Sequence, residues 1–235
     1  MISFLIDIAI IGTVVFCGWR GYKNGLIRGV FGVVSLVLAL FVANFAAQAY
    51  SDDAEVLLLP FASGIIESTM NDLDDEGIRY HPIAHDHEIS DDFFGRAYMT
   101  LREIGLPEAA AVTIAEQSRL LELHGDDGRS FIEIVASKLT GSLAFVGVFA
   151  VAFLLISIVF AVIGNLIGLV FSLPGLRFVD IIAGAACGIA KGIIIVYVLA
   201  VIIRYFGLVI LPILEDTTVL YFLVNNNPIA NMLGV

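Results

Sequence analysis

The residues best suited to chemistry fall in two places. The stretch "HPIAHDHE", residues 81–88, gathers His81, His85 and His87 with Asp86 and Glu88. Imidazoles and carboxylates are the ligands of a zinc site, which needs about four of them, or three and a water. His85 and His87 stand two apart, which puts them on one face of a strand but not of a helix. Pro82, the polar neighbours and the nearby "DLDDEG" argue instead for a solvated loop. That run is too short for an EF-hand loop and lacks its later glutamate. We therefore expect no metal and no other cofactor. The second place is inside apolar runs, where Asp7, Lys191 and Arg204 are embedded and Arg28 and Asp180 lie close by. An uncompensated charge in a bilayer costs about 2.5 kcal/mol or more. Such a residue pairs, snorkels to the surface, or lines a path for an ion or proton. If both lie deep, Asp7 and Lys191 are the expected pair. If Lys191 snorkels to the cytoplasmic face, as Arg28 would, Arg204 is left deeper, toward the outer half.

No nucleophile is partnered by a base in sequence, and neither a Walker loop nor a G-x-S-x-G elbow occurs. The chain is not expected to be an enzyme.

The elements that must position these residues are apolar helices. The chain of 235 residues is 59% hydrophobic and only 15% charged, where a globular domain has about 25% charged residues. The charge is also segregated. Between Tyr50 and Lys138 lie 19 of the 23 acidic residues but only 6 of the 12 basic ones. No basic stripe exists to meet phosphates, so nucleic acid is not an expected partner. Cys17 and Cys187 both sit in apolar runs and offer no disulfide framework.

A membrane-spanning helix needs about 20 mostly apolar residues. Ile2–Gly18, Leu26–Ala49, a run within Leu139–Leu173, and Ile181–Pro212 qualify or come close. The first lacks the basic start and cleavage site of a signal peptide and is read as a retained helix. Arg20, Lys23 and Arg28 crowd the first short loop, and Arg177 follows "SLPG" in the third. By the positive-inside rule these loops are cytoplasmic, and both ends of the chain lie outside. The expected fold is all-α: a polytopic integral membrane protein with four transmembrane helices as two similar hairpins. Residues 1–50 form the first hairpin, 51–138 an acidic extracytoplasmic insert of short helices, 139–212 the second hairpin, and 213–235 an amphipathic tail. Within the insert, helices are expected over Ala54–Leu73, with Pro60 and Gly64 as possible breaks, and from Pro107 to Gly125. The second would carry an apolar stripe of Ala111, Ile114, Ala115, Leu120 and Leu121.

Gly21, Gly25 and Gly29 repeat the spacing of Gly184, Gly188 and Gly192. Glycines four apart leave a flat stripe on which another backbone can lie close, and such packing drives helix association in lipid. Aligning "GYKNGLIRGVFGVV" with "GAACGIAKGIIIVY" sets Arg28 against Lys191, which reads as a duplicated hairpin and favours the snorkelling position for Lys191.

With these residues in view, the chain resembles the colicin V production protein family. Asp7, Gly18, Gly21, Gly25, Arg28 and Gly29 match its opening hairpin, and Asp180, Gly184, Gly188, Lys191 and Gly192 match its second-half segment. The tail "LEDTTVLYFLVNNNPIANMLG" resembles that of Gram-positive-type members, whereas the acidic insert is longer than the connection in the simplest ones. The resemblance implies an inner-membrane protein serving colicin V production or export and the upkeep of the envelope, and it implies no catalytic residue. The expected role is a membrane scaffold or accessory factor whose partners are the bilayer and either copies of itself or other membrane proteins. The alternative is an oligomeric transporter or channel for a small solute or ion.

Overall fold

The computed structural model describes residues 2–75, 91–123, 131–170, 177–206 and 217–234, and every regular element among them is an α-helix. His81, His85 and His87 lie outside the described residues, as do residues 171–176. The helices are α1 (Ile2–Asp75), α2 (Asp91–Glu103), α3 (Glu108–Leu123), α4 (Phe131–Val170), α5 (Arg177–Phe206), α6 (Thr218–Asn225) and α7 (Pro228–Leu233).

Helix α1 is interrupted at Gly25, whose φ of 78° and ψ of 176° are non-helical. Only glycine takes that backbone at no steric cost. What the break does follows from the neighbours along α5. Val14 lies beside Gly192, Gly21 beside Gly184 and Gly188, and Gly25 beside Asp180; past the break, Gly29 meets Gly184 and Cys187, and Gly32 meets Lys191. Both limbs therefore climb α5 from the same end, and the chain reverses at Gly25. From Asp7 to Gly25 the first limb rises about 27 Å, close to the roughly 30 Å of a bilayer's hydrocarbon.

Among the described residues, three helices are long and apolar enough to cross a membrane: α1, α4 and α5. With α1 folded back on itself, the bundle has four apolar segments. The second limb and α4 run antiparallel. At one end the Ser137 hydroxyl donates to Glu55 Oε1 at 2.9 Å, and at the other Gly164 faces the Phe31 ring. Large apolar side chains such as Phe41, Phe45, Leu154 and Val159 point outward, as the lipid-facing side of such a bundle requires.

The second limb does not stop at the end of the apolar run. It continues as helix through Pro60 and Gly64 to Asp75, so no break in the helix marks the boundary drawn at residue 50. The main core forms at this end, where Ala47 and Ile66 of α1, Leu101 of α2, Ile114 of α3, Val135 of α4 and Val201 of α5 are all buried. The acidic segment thus shares its core with the apolar helices. Helix α2, rich in charge, was not expected from the sequence. In α3, Ala111, Ile114 and Ala115 are buried but Leu120 is exposed, so the apolar stripe is shorter than the sequence suggests.

The tail lies against the bundle. Val224 of α6 and Ala230 of α7 are fully buried, and the Asn227 side chain joins both ends of this arrangement. Its oxygen caps α7 by accepting from Ile229 and Ala230, while its nitrogen donates to the Tyr197 carbonyl of α5 at 2.9 Å.

Candidate functional site

The two glycine sets face one another. A Cβ built on Gly184 would lie 2.6 Å from the Gly21 carbonyl oxygen and 2.8 Å from the Gly25 carbonyl carbon; one on Gly192 would lie 2.9 Å from the Val14 Cα; one on Gly29 would lie 2.8 Å from the Cys187 Cβ. Gly188 meets the backbone carbonyl of Cys17. Along this seam, backbone touches backbone with no room for a methyl group. The triplets do not occupy equivalent places in two hairpins. Gly21, Gly25 and Gly29 straddle the reversal, whereas Gly184, Gly188 and Gly192 lie inside the continuous α5.

The two aspartates do one job twice. The reversal at Gly25 leaves the second limb with orphan N–H groups at its start. Asp180 of α5 supplies the acceptor, taking the Leu26 N–H on Oδ1 at 2.7 Å. At the other end of the bundle, Asp7 accepts from the N–H groups of Thr218, Val219 and Leu220 at 3.2–3.4 Å, capping α6. A carboxylate suits both places, because a helix N-terminus carries partial positive charge. Asp7 is thus committed to α6 and makes no pair with Lys191, which lies beside Gly32.

Arg204 is buried, with 4% of its surface exposed. It joins α5 to the acidic segment: Nη2 donates to the Ala109 carbonyl at 2.7 Å and to the Thr113 hydroxyl at 3.0 Å. Breaking a buried charge-assisted hydrogen bond costs about 1.5–3 kcal/mol. Arg204→Gln is therefore expected to loosen α3 and speed proteolytic cleavage between α2 and α4, while the apolar helices stay protected. Limited proteolysis followed by mass spectrometry checks this.

Lys191 belongs to a different grouping. Its Cα lies about 16 Å along α5 from Asp180, far deeper than Arg28, which follows the reversal by three residues. The alignment of the two glycine segments therefore does not carry over into depth. The Lys191 side chain reaches the Gly32 level and enters a cavity of about 340 Å³ between the two limbs, α4 and α5. Arg20, Asn24, Arg28, Ser35 and Ser157 also line it. The Ser157 hydroxyl is buried with no hydrogen-bond partner among the described residues. Arg20 served in the sequence only as a topology marker, and Ser35 and Ser157 carried no signal, because their convergence needs four segments folded together.

Among the described residues, no group of three or more His, Cys, Asp or Glu side chains is placed to hold a metal.

The model of the Colicin V production protein family matches residues 6–68 and 117–228. The chain belongs to the colicin V production protein family. The matched segments hold both aspartate caps, every glycine of the seam and all the cations of the cavity. They also reach into both ends of the acidic segment. Only its middle, residues 69–116 with α2 and the start of α3, falls between them. This colicin V production family chain matches no curated protein and no solved structure.

Proposed function

We propose that this member of the family is a non-enzymatic scaffold or accessory factor of the bacterial inner membrane, serving toxin production or export and upkeep of the envelope. The observation that carries the reading is the glycine seam, together with the use made of the charges beside it. Asp7 and Asp180 cap helices and Arg204 holds α3, so three of the embedded charges are committed to holding the bundle together. In this reading the reversal at Gly25 and residues 171–176 face the cytoplasm, and both termini and the acidic segment face outward. The outward end also offers a contact surface. Val56, Leu57 and Phe61, just beyond Asp52 and Asp53, are each more than 70% exposed, and exposed apolar patches mark interaction sites. A second copy or another membrane protein would dock there.

The alternative, an oligomeric transporter, draws its support from the basic cavity alone. Flux assays separate the two. Vesicles holding the purified protein are expected to pass ions and small solutes no faster than empty ones. A photo-crosslinker at Leu57 should join the protein to a second copy or to a component of the toxin exporter. Flux that disappears in Lys191→Ala would move the assignment to transport. Orientation is checked with Cys17 and Cys187 replaced: a cysteine at Ser90 should label on intact cells and one at Lys23 should not.

A further inference from the structure

We infer that the cavity between the limbs of α1, α4 and α5 is a binding site for the phosphate group of an anionic phospholipid. Its polar wall is cationic, with no counter-charge among the described residues. Arg20, Arg28 and Lys191 all line it, and no carboxylate among the described residues pairs with any of them. Nor can the remaining chain supply one easily. Between Asp7 and Asp52, and again between Glu133 and Asp180, the sequence contains no Asp or Glu. Asp180, at the same end of the bundle, already holds the Leu26 N–H.

Three like charges around about 340 Å³ repel one another, and each costs free energy away from water. An anion resolves both problems at once. Arginine guanidinium groups offer paired donors that match phosphate oxygens, and the lysine adds a point charge. Asn24 and the unpartnered Ser157 hydroxyl supply neutral donors beside them.

The rest of the lining selects a lipid over a soluble ester. Phe31, Leu36, Phe153, Phe160 and Ile195 share the same cavity with the cations. Leu154, also in its wall, is 60% exposed on the outward face of α4. The cavity therefore pairs a phosphate-binding end with an apolar flank continuous with the lipid-facing surface. Basic pockets between helices on the cytoplasmic side are suited to such headgroups.

The test uses the full chain in nanodiscs of phosphatidylcholine, with phosphatidylglycerol added in steps, and reads bound lipid by native mass spectrometry. Wild-type protein is expected to retain phosphatidylglycerol selectively. Lys191→Gln and Arg28→Gln should each weaken retention about fivefold, and Lys191→Arg should restore it. Lys23→Gln should change little, since Lys23 stacks over Trp19 outside the cavity. A thermal melt and gel filtration of each variant show that it is folded. Equal retention by folded wild type, Lys191→Gln and Arg28→Gln would overturn the site. Binding of inorganic phosphate with no preference for phosphatidylglycerol would overturn the lipid and assign the cavity to a soluble phosphate ester.

Discussion

Gly188→Ala is expected to cost about 2–3 kcal/mol of stability, and Gly188→Leu to abolish accumulation of the folded protein. The added methyl group would meet the carbonyl oxygen of Cys17 and lie 3.0 Å from the Gly18 Cα. Neither is the tip of a flexible side chain, so relief requires that α5 and the first limb move apart. Overpacking of this kind typically costs about 1–3 kcal/mol. Here separation would also weaken the neighbouring contacts of Gly184 and Gly192 with Gly21 and Val14. Against this stands the better helix propensity of alanine, about 1 kcal/mol, which the clash exceeds. Gly12 and Gly64 provide the control. Beyond the glycine's own stretch of helix, no atom of the described residues lies within 4 Å of a Cβ built at either place, so Gly12→Ala and Gly64→Ala should be neutral or stabilising. Thermal unfolding in detergent, alongside the level of protein in the membrane, checks both. Gly188→Ala melting like wild type would mean that the seam is not a rigid contact.

The second large effect is expected at Asp180. Its bond to Leu26 at 2.7 Å is short, charge-assisted and partly buried. Asp180→Ala leaves the start of the second limb uncapped where water is scarce, and hydrogen bonds to charged groups contribute about 1.5–3 kcal/mol. Asp180→Asn keeps an acceptor and should lose less than about 1 kcal/mol. Asp7→Ala should also be mild, because its three bonds are long, at 3.2–3.4 Å, and one of them is exposed. Hydrogen exchange at Leu26 and its neighbours reads the effect directly. Rapid exchange is expected in Asp180→Ala and slow exchange in Asp180→Asn. Equal protection in the two would show that the cap does not hold the reversal.

Composition and hydropathy were enough to give an all-helical membrane chain, because lipid leaves a backbone few ways to satisfy its own hydrogen bonds. Spacing was enough to mark the glycines as contact surfaces, since a bare stripe on a helix follows from period alone. The sequence also singled out Asp7, Asp180, Lys191 and Arg204 as charges needing an explanation, because each stands in or beside an apolar run. Which explanation applies was decided only by tertiary structure. The partner of Asp180 is 154 residues away, that of Asp7 more than 200, and that of Arg204 more than 90. Apart from the Thr113 hydroxyl that Arg204 also meets, these partners are backbone groups, which every residue carries and no sequence pattern marks.

The same holds for the reversal at Gly25. The glycine is legible as a place where the chain can turn, but that two limbs climb one helix depends on the seam they both meet. The basic cavity is the clearest case. Arg20 counted in sequence only as a loop charge, Arg28 as a charge aligned with Lys191 in a second hairpin, and Lys191 itself stands more than 160 positions on. Folding sets the three cations around one space because α1 doubles back beside α5, and that proximity is a property of packed helices rather than of any local stretch of chain.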